Sequence, residues 1–227
     1  MDTLQKNYQQ VIQRIAKAEQ RFGRLEHSVS LLAVSKTKPI EMVNALAAIG
    51  QTAFGENYLQ EALEKIEHRP DLEWHFIGPI QSNKTKPIAQ HFDWVESVDR
   101  LKIAQRLSAQ RPADKPALNI LLQVNISQED TKSGFMPDEV LDVARQIALL
   151  PGLAIRGLMA IPKIETEFDK QRGGFCRMKT LFSELQTQLG SNQVDTLSIG
   201  MSSDLEAAIA EGSTQVRIGT DLFGSRA

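Results

Sequence analysis

Residues 4–24 place apolar side chains at helical spacing. Leu4, Tyr8, Val11, Ile12, Ile15, Ala18 and Phe22 share one stripe of an otherwise polar segment. The stripe predicts an amphipathic helix, stopped near Gly23. After it, short apolar runs alternate with helical stretches. The runs are SLLAVSK (30–36), TAFGE (52–56), EWHFIG (73–78), DWVESV (93–98), LNILLQVNI (118–126), LAIRGLMAI (153–161), DTLSIG (195–200) and TQVRIG (214–219). Between them, Pro39 opens a helix that Gly50 ends, Asn57 and Gln60 have the spacing of a capping pair, and Asp99 can cap a helix over 101–107. Pro137 opens a helix reaching Leu150. The segment 166–189 carries Phe168, Phe175, Met178, Leu181, Phe182 and Leu185 on one side, with Gly173-Gly174 weakening its early part. Ser203 and Glu206 form an S-x-x-E capping box before LEAAIAEG.

Eight strands alternating with helices predict parallel pairing through helical crossovers, and eight is the number that closes a barrel. The expected fold is α/β: a single (β/α)8 barrel of TIM type spanning 1–227 as one domain, with an extra N-terminal helix. An open doubly wound sheet is the rival, weakened because no G-x-G-x-x-G follows the first strand. A net charge of −2 makes nucleic acid or an anionic membrane an unexpected partner. The one cysteine, Cys176, forms no intrachain disulfide and fits a cytoplasmic setting; it is placed on an apolar helix face, as packing. No secretory signal or uninterrupted apolar membrane span is found.

Reactive groups of such a barrel gather at the C-terminal ends of its strands. Strand seven leads into SIGMSSDLEAAI, a glycine turn with two hydroxyls before a helix; strand eight leads into Gly219 and Thr220. Loops after strands seven and eight often bind phosphate in this fold class, and their adjacency favours that reading over simple capping and turning. Arg217, between Val216 and Ile218, faces into the barrel if those two pack against helices. There it either pairs with an acid such as Glu73 or Glu56, or meets a ligand above the phosphate site. Lys36 ends the first strand. Beside Lys38 and Arg217 its amine is driven towards the neutral form that attacks an aldehyde. Phosphate, imine and a ring-nitrogen partner together describe pyridoxal phosphate (PLP). A phosphate-binding lysine or a surface strand end remain alternatives. His75 reads as a core imidazole, and Lys132 as a loop lysine within reach of the mouth.

LLAVSKTKP, FGENYLQEA, EWHFIGPIQSNK, IRGLMAIP and SIGMSSDLEAAIAEGSTQVRIGT resemble the YggS/PROSC family of pyridoxal-phosphate homeostasis proteins, over residues 5–226. The resemblance implies a barrel like the N-terminal domain of alanine racemase, holding PLP as an internal aldimine with no firmly assigned reaction. It makes Lys36 the aldimine lysine. Ser202, beside the Met201 amide, and Gly219 with Thr220 are implied to hold the phosphate. Arg217 is implied to face the pyridine nitrogen, and Asn57 and His75 to line the pocket. Asp221-Leu222 departs from the more usual Ala-Ile and puts a negative charge near the phosphate loop.

The resemblance favours a carrier that stores, buffers or delivers PLP, with PLP-dependent apoenzymes as recipients and no catalytic residue. The alternative is an amino-acid racemase or related PLP enzyme. A racemase of this barrel type has a second β domain, for which no chain is left, and neither Tyr8 nor Tyr58 is an obvious second base. A phosphosugar enzyme using Lys36 survives only without the resemblance. A monomer is the expected state, since the barrel closes without a partner.

Overall fold

Every apolar run becomes a strand shorter than the run itself. In a computed structural model that describes residues 3–129 and 131–224, the strands are β1 Ser30–Val34, β2 Ala53–Glu56, β3 Glu73–Phe76, β4 Trp94–Val98, β5 Leu118–Gln123, β6 Leu153–Met159, β7 Thr196–Ser198 and β8 Gln215–Ile218. The helices are α1 Thr3–Arg21, α2 Ile40–Ala47, α3 Leu59–His68, α4 Thr85–His91, α5 Leu101–Gln110, α6 Val140–Ala148, α7 Phe168–Leu189, α8 Leu205–Ala210 and α9 Thr220–Phe223. All eight strands are parallel and close in sequence order, β8 pairing back onto β1 with Leu32 opposite Arg217. The open sheet is thereby ruled out.

Two cores result. Outward-facing strand residues such as Phe54, Trp74, Val95, Ile120, Val216 and Ile218 pack under the helices in one cluster. A smaller cluster, Trp94, Leu121 and Met159, is separate from it and fills part of the barrel interior. The interior also holds Leu32 and a polar set, His75, Glu96, Ser198, Gln215 and Arg217, all buried. Trp94 lies between the His75 ring, stacked at 5.1 Å, and the Arg156 guanidinium, 4.9 Å from its centroid.

Helix α1 buries Leu4, Val11, Ile15 and Ala18 of its stripe and packs against α8 and α9; Ile12, expected on the same stripe, is exposed because it lies one residue round the helix from Val11. Its buried Glu19 accepts hydrogen bonds from the Val29 and His27 amides, at 2.9 and 3.2 Å, and so pins the entry into β1. No helix among the described residues is long and apolar enough to cross a membrane.

The three expected caps do not form. Tyr58 takes the N-cap position of α3, and Gln60 turns to Glu64. Arg100 takes that of α5, while Asp99 pairs with the Arg100 side chain. Asp204 takes that of α8, and Glu206 is drawn to Arg14 of α1. In each case another side chain outcompetes the local backbone. Cys176 is exposed, contrary to expectation: the stripe through Phe175, Met178, Phe182 and Leu185 leaves position 176 on the solvent side of α7. Gly173-Gly174 does not interrupt that helix.

Between Ile120 and Leu121 of β5, the register against β6 jumps from Ile155 to Gly157. Arg156 is the extra residue of this bulge and reaches Asn119 and Asp195. Gly157 then runs so close to β7 that a Cβ there would lie 1.8 Å from the Thr196 carbonyl oxygen. Gly157→Ala should therefore prise β6 from β7 and lower stability by about 3 kcal/mol, read as a shift in the urea midpoint.

Candidate functional site

The C-terminal ends of the strands surround a cavity of about 530 Å³. Lys36 enters it from the β1 exit, Asn57 from the β2 exit and Ile77 from the β3 exit. Met159 and Ile161 come from β6 and its loop, Met201 and Ser202 from the loop after β7, and Arg217, Gly219 and Thr220 from β8 and beyond. Seven of the eight expected site residues thus meet around one space. His75 is not among them; it sits deeper in the barrel.

Lys36 lies two residues past the end of β1, not on it. It occupies the second position of a tight turn closed by the Lys38 amide donating to the Ser35 carbonyl at 3.1 Å. Ser35 is fully buried, and its hydroxyl donates to Glu56 Oε1 at 2.6 Å. Burial pushes the Glu56 carboxyl up, against the pull of the Lys65 ammonium at 2.7 Å.

Arg217 is 5% exposed, and Val216 and Ile218 do pack under the helices. Neither Glu73 nor Glu56 pairs with it. Its Nη1 donates to the Ser198 carbonyl and hydroxyl oxygens, both at 2.7 Å, and its Nη2 to the Ala160 carbonyl at 3.0 Å. The acid behind it is Glu96, which accepts from the Ser198 hydroxyl at 2.7 Å, from Gln215 at 2.6 Å and from His75 Nδ1 at 2.7 Å. His75 Nε2 meets Glu73 at 3.1 Å. Five side chains therefore run in sequence from the floor of the barrel to the cavity: Glu73, His75, Glu96, Ser198, Arg217. Burial alone would lower the His75 pKa, but hydrogen bonds and charge from Glu73 and Glu96 outweigh it and raise the value. Burial alone would raise Glu96, but His75 and Arg217 outweigh it and hold that carboxyl down.

In the loop after β7, the Met201 amide donates to Asp204 Oδ1 at 2.6 Å. Burial pushes the Asp204 carboxyl up. Gly200, with φ +96°, lets the loop turn tightly against α8, where a Cβ would lie 2.5 Å from that of Ala208. The Ser202 hydroxyl accepts weakly from the Asp221 amide at 3.4 Å, which links the two loops. Arg14 links them more firmly: it donates to the Ser202 carbonyl at 3.1 Å, forks onto both Glu206 oxygens, and pairs with Asp221. The negative charge of Asp221 is thus met by Arg14. Lys132 lies outside the main cavity, in an adjoining one of about 290 Å³ that shares Asn57, Ile77 and Ile161, and it is paired with Glu129.

Arg14, Glu96 and Ser198 are the participants that sequence reasoning misses. Glu96 had a visible signal: a carboxylate between valines in DWVESV is as odd as an arginine in VRI. Arg14 had none, since a lone arginine on a charged helix is ordinary.

The profile of the family described as "Alanine racemase, N-terminal domain" matches residues 1–227. Pyridoxal phosphate homeostasis proteins from Pseudomonas aeruginosa and Pasteurella multocida are 56% and 53% identical to this chain. The matches span 100% and 99% of this chain and 97% and 98% of those proteins. The chain belongs to the family of pyridoxal phosphate homeostasis proteins. Among solved structures, PipY of Synechococcus elongatus PCC7942, determined with PLP bound, is 36% identical with a TM-score of 0.80, covering 92% of this chain and all of that one. An alanine racemase from Corynebacterium glutamicum, 15% identical with a TM-score of 0.68, shares the fold over 95% of this chain and 60% of its own.

The residues present fit PLP. A half-buried lysine, a fixed guanidinium and two hydroxyls from neighbouring loops face one cavity. On its wall, Asn57 Oδ1 is buried without a hydrogen-bond partner among the described residues, an acceptor suited to a ligand hydroxyl.

The His75–Glu96 pair has a defined pH signature. A raised His75 pKa adds stability in full below its ordinary 6.5, and that share is lost as pH rises through the folded value. A lowered Glu96 pKa adds stability in full above 4.5, lost as pH falls through its folded value. The stability gap between wild type and His75→Gln should therefore shrink as pH is raised above neutrality. Urea titrations across pH 5–9 (order-of-unit steps on either side of the ordinary histidine range) measure it, and a gap independent of pH would count against a charged His75.

Proposed function

We propose that the protein binds PLP at the mouth of its barrel and holds it in reserve for other proteins, with the whole chain acting as one cofactor-binding domain. The observation that carries this reading is the convergence of Lys36, Arg217 and the loops of Ser202 and Thr220 on one cavity. The bound form of the PipY relative supports it. When bound, the cofactor would supply an aldehyde, the electrophile suited to an uncharged lysine amine. Lys36 is the amine. Ser202, Thr220 and the backbone of Met201 and Gly219 hold the phosphate, Arg217 donates to the ring nitrogen, and Asn57 lines the ring. His75 acts from beneath, through Glu96 and Ser198, rather than by contact.

Two features favour a carrier over an enzyme. Relatives 56% and 53% identical to this chain are named for homeostasis. Among the described residues, the cavity lining holds no histidine, tyrosine or cysteine that could serve as a second acid or base beside Lys36. The carboxylate in the lining, Asp221, is committed to Arg14. On this reading the recipients are PLP-dependent apoenzymes, and the protein works as a cytoplasmic monomer whose closed barrel offers no edge strand to a second copy.

Incubation with PLP should give a visible absorbance that borohydride bleaches, and mass spectrometry of the reduced protein should locate the added mass on Lys36. Lys36→Ala should lose both signals. Wild-type protein that stays colourless overturns the cofactor reading. Turnover of common L-amino acids to their D forms should be negligible; robust racemisation would overturn the carrier reading alone.

A further inference from the structure

The turn that presents Lys36 is strained. Thr37, its third residue, has φ +62°, a left-handed conformation that a β-branched side chain resists. Tight turns with positive φ at this position favour glycine or asparagine. Thr37 is exposed, so packing around its side chain does not hold it there. A hydrogen bond to α3 does. Glu61 Oε1, on the first turn of α3, accepts the Thr37 amide at 2.7 Å. The same oxygen accepts from Lys65 Nζ at 2.7 Å. Lys65, one helical turn on and buried, also donates to the Ser35 carbonyl at 2.8 Å and to Glu56 at 2.7 Å. Both residues flanking Lys36 are thus gripped by a Glu56–Lys65–Glu61 cluster that lines neither of the two mouth cavities.

We propose that Glu61, braced by Lys65, is a positioning residue for Lys36: it holds Thr37 in its left-handed conformation and thereby aims the lysine at the cofactor aldehyde. This rests on the reading of Lys36 as the PLP lysine. The cluster has no other evident task. A buried ion pair is weak support for stability, because desolvating both charges offsets their attraction. What it does supply is a fixed geometry, and the geometry fixed is that of the turn around Lys36.

The test compares PLP with pyridoxine 5'-phosphate, which keeps the ring and phosphate but has an alcohol where PLP has the aldehyde. Without the Glu61 acceptor, Thr37 relaxes towards ordinary backbone and the lysine loses its aim. Glu61→Ala should weaken PLP binding and slow borohydride-trapped adduct formation about tenfold, the scale of one strained residue. Its affinity for pyridoxine 5'-phosphate should stay within about twofold of wild type, the range of a small, non-contacting change. Glu61→Gln, which keeps an oxygen for the Thr37 amide, should recover most of the loss. Adding Thr37→Gly to Glu61→Ala should also restore PLP binding, because glycine adopts the left-handed conformation without help. Circular dichroism confirms that each variant is folded, and Glu61→Met, of similar length but with no oxygen for the Thr37 amide, carries the comparison if the alanine variant is not. Equal weakening of both ligands, or Glu61→Ala binding PLP like wild type, overturns the positioning role. Wild type that binds pyridoxine 5'-phosphate and PLP alike, with no trapped lysine, overturns the underlying reading of Lys36 instead.

Discussion

The pairing of β1 with β8 is the contact on which the site depends. Ser30–Ala33 lie in register with Gln215–Ile218, so the exit of the first strand stands beside the exit of the last. Without that closure, Lys36 and Thr220 would be separated by most of the chain. With it, a lysine near the beginning faces hydroxyls and backbone amides near the end across a single cavity. Helix α1 reinforces the same seam from outside, since Arg14 joins the loop after β7 to the start of α9.

Around this seam the protein keeps charge where most barrels keep aliphatic side chains. Three ionic groups do separate things. Glu56, Lys65 and Glu61 grip the turn of Lys36. Glu73, His75 and Glu96 stand behind Arg217 through Ser198. Arg14, Glu206 and Asp221 hold the two loops that bear Ser202 and Thr220. Each surrounds or supports a residue of the cavity. Buried ionic clusters add little net stability but tolerate few alternative geometries. The interior therefore gives up some hydrophobic burial in return for fixed positions at the mouth.

The architecture was legible because the apolar runs are separated by well-marked helices, and eight runs leave few topologies. Arg217 was legible as an inward charge because strand alternation is strict. What could not be seen was pairing over long range. Arg217 reaches its acid, Glu96 of β4, through the Ser198 hydroxyl, rather than pairing with Glu56 or Glu73. The capping pairs failed for a related reason: Glu206 has the spacing of a capping box, but Arg14, distant in sequence, offers it a charge. His75 was assigned to the cavity because it belongs to a motif that surrounds the site, whereas its position on β3 buries it below. Cys176 follows buried Phe175 by one residue, about 100° round the helix, and so falls off the stripe.

Closure at β1 and β8 also sets an order of events during synthesis. Strand β1 pairs with β2 as soon as residue 56 is available, but its other edge waits for Gln215–Ile218. At typical elongation rates that wait lasts on the order of ten seconds or more. Through that interval the strand leading to Lys36 keeps one open edge, and α1 lacks the late helices against which it packs. Contacts of such long sequence separation form late and slowly. A nascent chain therefore carries the lysine long before it has a pocket, and competence for the cofactor arrives in one step, with the last strand.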